Sequence, residues 1–188
     1  MEKNKEKRDG DIIFQTSKSR QSKALQLATN SKYSHCGIIY KKGDNFFVNE
    51  AVRPVKSTSF KDWVNNGEER HFVIRRLKNA DEILKPETLE KMKQVGEEFN
   101  GKDYDVHFKW TDDSLYCSEL IWKIYKEATG LEIGKLQQLK DLNLDNEVVK
   151  DLMEERYGDN IPFDETVISP QSIFDSDLLI TVEDTYEK

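Results

Sequence analysis

Two kinds of hydrophobic pattern alternate along this chain. "GDIIF" (Gly10–Phe14) is a short apolar run bounded by polar residues and reads as a strand. In "SRQSKALQLATNS", Ala24, Leu25 and Ala28 recur at helical spacing and predict a short helix. "HCGIIY" reads as a strand, "KKGDN" carries glycine–aspartate turn chemistry, and "FFVNEAV" follows; together they predict a β-hairpin. "SFKDWVNN" suits one or two helical turns. "RHFVIRRL" alternates, with Phe72, Ile74 and Arg76 on one side and His71, Val73, Arg75 and Leu77 on the other. "KPETLEKMKQVGEEFNGK" is the clearest helix. Pro86 suits its first position, Leu89, Met92, Val95 and Phe99 form the apolar stripe, and Gly101 suits the stop.

"YDVHFKWTDDS" reads as an ordered loop. Asp112 or Asp113 is placed to cap a helix running from about Ser114 to Ala128, with Gly130 ending it. Residues 135–157 are charged with helical spacing, "SPQSIFDS" is a short helix or turn, and "LLITVE" is a last strand. Mixed strands and helices without repeats or a linker predict one α+β domain over residues 10–188. A flexible tail is expected over residues 1–9 and a helical acidic insertion around residues 130–168.

Composition narrows the function. Nineteen aromatics among 188 residues argue against disorder. The net charge of -7 is uneven: residues 134–188 carry 14 acidic and 5 basic side chains, residues 1–133 carry 22 and 24. That lacks the basic stripe that nucleic-acid binding needs. No apolar run suggests a membrane span, and "MEKNKEKRDGD" has no signal-peptide core. The chain therefore reads as soluble: cytoplasmic as written, or of the cell envelope if a signal was removed. The acidic back could dock a basic partner, although such runs are commonly solvated helix faces. Oligomeric state is left open.

Two cysteines, Cys36 and Cys117, make no disulfide framework, there is no C-x-x-C, and the three histidines are scattered. Neither a metal site nor a cofactor is called for. Cys117 in "SLYCSELIWKIY" falls in the first turn of its helix, where unpaired N–H groups favour a thiolate. Taken alone it could equally be a small core filler. His35 opens the strand "HCGIIY". His35, Gly37 and Ile39 share one face; Cys36, Ile38 and Tyr40 share the other. Cys36 is therefore read as core packing that faces away from Cys117, which leaves a redox bridge between the two unfavoured. Gly37 leaves room for a helix end or a substrate. Glu50, an acid in the otherwise apolar hairpin partner strand, is the choice to orient His35, with Asn49 on the opposite face as fallback. His107 is a rival base. Tyr33, Trp110 and Tyr116 are core residues or the lining of an apolar groove.

"GDIIF", "SHCGIIY", "NEAV" and "YCSEL", in that order, resemble the NlpC-type papain-like superfamily. With the histidine strand ahead of the cysteine helix, they resemble its circularly permuted, YiiX-like branch. The resemblance implies a permuted papain-like fold: a small antiparallel sheet or partial barrel packed against the cysteine-bearing helix. It implies Cys117 as nucleophile, His35 as general base and Glu50 as the residue orienting it. Tyr104 in "GKDYD" is implied as a substrate-pocket or oxyanion-side residue. The implied activity is cleavage of an amide or ester bond through an acyl-enzyme, on a peptidoglycan-like peptide or an acylated lipid. The alternatives are acyl transfer of the lecithin:retinol acyltransferase type, or an idle binding module on the same scaffold.

Overall fold

The computed structural model describes residues 6–187. In chain order the elements are β1 (Ile12–Gln15), α1 (Ser22–Thr29), β2 (His35–Lys42), β3 (Asn45–Glu50), β4 (Lys56–Ser59), α2 (Phe60–Asn65), β5 (Val73–Leu77) and a single turn α3 (Ala80–Ile83). They continue with α4 (Pro86–Phe99), β6 (Asp103–Tyr104), β7 (Ser114–Leu115), α5 (Cys117–Thr129), β8 (Gln137–Gln138), α6 (Glu147–Tyr157), β9 (Thr166–Val167), α7 (Pro170–Phe174) and β10 (Leu179–Asp184).

Six strands form one antiparallel sheet in the order β10-β5-β1-β2-β3-β4. The β2–β3 hairpin turns through Gly43 and Asp44, with Gly43 at φ +61°, a conformation that favours glycine. Alternation along the strands divides the sheet's side chains between two apolar layers. Ile12, Phe14, Cys36, Ile38 and Val73 pack in the larger core with Met92 and Val95 of α4 and Leu120, Ile121 and Ile124 of α5. Ile13, Ile39, Val48 and Ile74 pack on the other face around Trp63 of α2.

The helix boundaries have local causes. Pro86 occupies the first turn of α4, and Gly101 follows its cap at φ +83°. Gly130, left-handed at φ +77°, ends α5 and returns its N–H to Lys126 O at 2.9 Å. Ser59, Asn146 and Ser169 cap α2, α6 and α7 through their side chains. Helix in the acidic stretch is confined to α6 and a turn at Leu139–Asp141, so it is shorter than the expected 135–157. β4 was not foreseen: "KSTS" has no apolar side chain to show a periodicity.

Residues 1–5, most of the expected tail, lie outside the described residues. Glu6–Asp9 are fastened to the body. Arg76 Nη2 donates to Glu6 O at 2.6 Å, Arg8 pairs with Asp81 at 2.9 Å, and Lys93 with Asp9 at 3.0 Å. Next to them, buried Asp11 and Arg76 form a two-pronged ion pair at 2.7 and 2.8 Å. Among the described residues, no helix is long and apolar enough to cross a membrane.

Gly37 has a different reason from the one expected. A Cβ there would lie 2.4 Å from Val48 Cγ1 and 2.8 Å from Asn49 O, so the space is filled by β3, not kept for a ligand. Gly37→Ala should therefore push apart the two strands that carry His35 and Glu50, at a cost of about 1–3 kcal/mol. The urea midpoint of the variant reads that loss, and an unchanged midpoint refutes the close-approach account.

Candidate active site

Cys117 is the first residue of α5. Tyr116 before it is extended (φ -106°, ψ 166°), so the chain turns into the helix at the cysteine. The first N–H groups of a helix have no partner within it, and Cys117 stands at that end. The aspartate cap expected at Asp112 or Asp113 does not form. Ser114–Leu115 instead pairs in parallel with Asp103–Tyr104, and Asp112 reaches Lys123 at 2.6 Å. Glu119, in the first turn and fully buried, pairs with Lys123 at 2.8 Å. The β6–β7 pairing also brings Tyr104 close to the start of α5.

His35 opens β2, at the end of the strand and level with Gln15 of β1. Its ring stacks on Trp63, with centroids 5.7 Å apart and planes inclined by 24°. Its Nε2 lies 2.5 Å from Glu50 Oε2, and Thr58 Oγ1 donates to Glu50 Oε1 at 2.5 Å. Both oxygens of this buried carboxylate are thus engaged. Asn49, the fallback, packs on the other face against Gly96 of α4. With Nε2 occupied, Nδ1 is the ring nitrogen left for the Cys117 thiol, which hydrogen-bonds to His35.

Cys36 requires a correction. It lies on the strand face opposite His35, as alternation predicts, but that is the face α5 covers. Cys36 therefore points at Cys117 and hydrogen-bonds to it instead of facing away. The reading as core packing stands, since Cys36 is fully buried. Both cysteines are free thiols.

The electrostatics follow. The Cys36 hydrogen bond lowers the Cys117 pKa, burial opposes it, and the hydrogen bond and charge of His35 add to the lowering; the thiol ends well below its ordinary value of 9.0. Burial alone would lower the His35 pKa, but the hydrogen bonds and charges of Cys117 and Glu50 raise it to about 10. Burial also pushes the Cys36 thiol well up, so it keeps its proton. Both shifts run in the direction that favours a thiolate beside an imidazolium.

Two cavities meet here. A narrow slot of about 50 Å³ runs between α1, α6 and the start of α5, with Cys117 in its wall. Leu25, Ala28, Phe108, Val149, Met153 and Ile168 line it. Its hydroxyls are turned to backbone: Ser118 donates to Ile168 O at 2.7 Å and Thr29 to Leu25 O at 2.7 Å. On the other side, a polar cleft of about 500 Å³ contains His35, Glu50, Gln15, Lys18, Arg53 and Lys56. Tyr104 borders both. Tyr116 lies in the slot wall; Trp110 packs edge-on to Trp122, and Tyr33 against Phe14 and Phe174. His107 is exposed beside Tyr157, and His71 lies against Tyr186. Neither is in contact with the thiol.

A family model for permuted papain-like amidase enzymes, the YaeF/YiiX or C92 family, matches residues 6–183. The chain belongs to this family. An uncharacterized protein YiiX of Escherichia coli (strain K12) is 46% identical over 173 residues, covering 92% of this chain and 84% of that protein. The crystal structure of YiiX from Escherichia coli O157:H7 matches with a TM-score of 0.90 at 46% identity, covering 94% of this chain and 97% of that one. The expected permuted papain-like α+β fold is thus the fold observed. YiiX is described there as a metalloprotein. In this chain, no group of three or more His, Cys, Asp or Glu side chains among the described residues is arranged to hold a metal ion, so its donors do not fit that description.

Sequence reasoning missed Thr58, Gln21 and Arg156 near the site. Thr58 lies in the strand that periodicity could not show. Gln21 and Arg156 are 135 residues apart and meet only in the folded chain.

Two outcomes follow from the charges. The Cys117 sulfur should react with iodoacetamide near pH 6, where an ordinary thiol is protonated, while Cys36 stays unmodified. His35→Ala should slow that reaction about tenfold for each unit the thiol pKa rises, with the rate returning near pH 9. Mass spectrometry of the alkylated peptides reads both; equal rates in the two proteins would break the pairing. Glu50 provides a stability check. Burial alone would raise its pKa, but the hydrogen bond and charge of His35 and the Thr58 bond hold it below its ordinary 4.5. Its contribution is present above that value and lost as acid titrates the folded carboxylate. Glu50→Gln should flatten the acid limb of stability against pH, measured by urea unfolding.

Proposed function

We propose that this chain is a cysteine hydrolase in which Cys117 is the nucleophile, His35 the acid–base group and Glu50 the residue that orients it. Its substrate is a short acyl group joined by an amide or ester bond to a polar headgroup. The supporting observation is that Cys117 lines an apolar slot while His35 and Glu50 line a polar cleft, with Tyr104 bordering both. A substrate lying across Cys117 has its acyl chain in the slot and its leaving group beside His35.

The reaction follows the resting charges. The Cys117 thiolate attacks the acyl carbonyl; the C–S bond forms and the carbonyl electron pair moves to oxygen. The Cys117 N–H and the Tyr104 O–H stabilise that oxyanion. Collapse breaks the bond to the leaving nitrogen or oxygen, which takes the His35 proton and departs through the cleft. His35, now neutral, draws a proton from water as the water attacks the thioester. The acid is released and the thiolate restored. Glu50 keeps Nε2 engaged, so Nδ1 faces the chemistry throughout.

The slot, about 50 Å³, has room for on the order of four water-sized groups, at about 10–15 Å³ each, which limits it to a short chain. Among N-acyl aminocoumarin amides, kcat/KM should rise about fourfold per methylene from acetyl to about hexanoyl, as about 0.8 kcal/mol per buried methylene requires, and then level off. Cys117→Ala should abolish turnover. Faster cleavage of cell-wall peptides than of any acyl amide would replace the substrate reading. Equal turnover by Cys117→Ala would remove the enzyme.

A further inference from the structure

We propose that Arg156, carried by the acidic insertion, positions the Tyr104 hydroxyl for catalysis through the side chain of Gln21. The inference rests on the reading of Tyr104 as an oxyanion donor and adds the residues that aim it. Arg156 Nη2 donates to Gln21 Oε1, and Gln21 Nε2 donates to Tyr104 Oη at 2.8 Å.

The direction of this chain is forced. A guanidinium has only donors, so the Gln21 atom facing Arg156 must be the oxygen. The Gln21 atom facing Tyr104 is then the NH₂, also a donor. The Tyr104 oxygen must accept from it, and the phenolic hydrogen has to point elsewhere. Tyr104 lines the slot together with Cys117 and the cleft together with His35, so that hydrogen is available to the oxyanion. Burial, reinforced by the charge on Cys117, raises the Tyr104 pKa, so the group remains a donor.

The supports of the relay are fixed. Gln21 is the residue that precedes α1, and Arg156 lies near the end of α6. Arg20 and Glu155, their immediate neighbours, pair at 2.8 Å across the same gap. The Arg156 guanidinium sits 4.9 Å from the Phe108 ring centroid. The insertion thus supplies a positive charge two hydrogen bonds away from where negative charge develops, a location that strengthens the intervening donors. Arg156 and Gln21 are positioning residues; the hydrogen reaching substrate is that of Tyr104.

Gln21→Glu separates direction from attachment. The new carboxylate keeps, and strengthens, the contact to Arg156, but it can only accept, so it turns the Tyr104 hydrogen away from the site. With hexanoyl aminocoumarin amide, kcat should fall about 10²-fold, the scale of losing one oxyanion donor and the same loss as in Tyr104→Phe. KM, melting temperature and Cys117 alkylation rate should hold. Arg156→Met should lose activity in the wild-type background and nothing further in Tyr104→Phe, while Arg156→Lys retains most of it. Wild-type kcat in Gln21→Glu, or a parallel fall in its alkylation rate, would overturn the relay and leave the hydrolase reading intact. Absence of turnover of both that amide and cell-wall peptides by the wild type would remove the hydrolase reading and the relay with it.

Discussion

The His35 ring is held between Glu50, 2.5 Å from one nitrogen, and the Cys117 sulfur at the other. A buried imidazolium on its own would be expensive, and so would a buried thiolate; each is tolerable because the other is there. The pairing places demands on everything around it. β2 and β3 must lie close enough for the carboxylate to reach the ring, which is why Gly37 has no side chain. β4 must supply Thr58 to occupy the second carboxylate oxygen. α5 starts at the cysteine, which puts the thiol at the positive end of the helix. The two apolar cores clamp the sheet against α5 on one side and Trp63 on the other, and this rigidity keeps the three groups in line.

The second organising feature is the contrast between the slot that Cys117 lines and the cleft that His35 lines. Helices α1 and α6 enclose an apolar slot, and loops and strand ends leave a wet cleft with cationic side chains. In the proposed reaction, this contrast would separate an acyl group from its leaving group. The acidic stretch after α5 is part of this arrangement. Val149 and Met153 contribute to the slot, and Arg156 reaches across to Gln21. Its acidic side chains are largely on the outside, so its overall charge says little about the face it turns to the site.

Much of this was legible in the sequence. Strong periodicity marked α4 and α5, β-branched runs marked β1 and β2, and the glycine–aspartate pair marked the hairpin. The family resemblance and the buried acid in an apolar strand singled out Glu50 before any geometry was known. β4 escaped because a polar edge strand has no hydrophobic alternation. The start of α5 was misjudged because two aspartates look like caps, yet the chain there pairs as a strand first. Cys36 was assigned to the correct strand face. What was wrong was the assumption that Cys117 lay on the other one: alternation says which residues share a face, not what covers that face.

By itself the sequence determined the elements, their order and the chemically able residues, because local spacing and residue type carry that information. Which groups touch was decided by tertiary structure. The thiol and imidazole are 82 positions apart in the chain, and the Gln21–Arg156 contact spans 135. Such meetings depend on sheet order and helix docking, which arise from packing summed over the whole core and leave no mark at any one position.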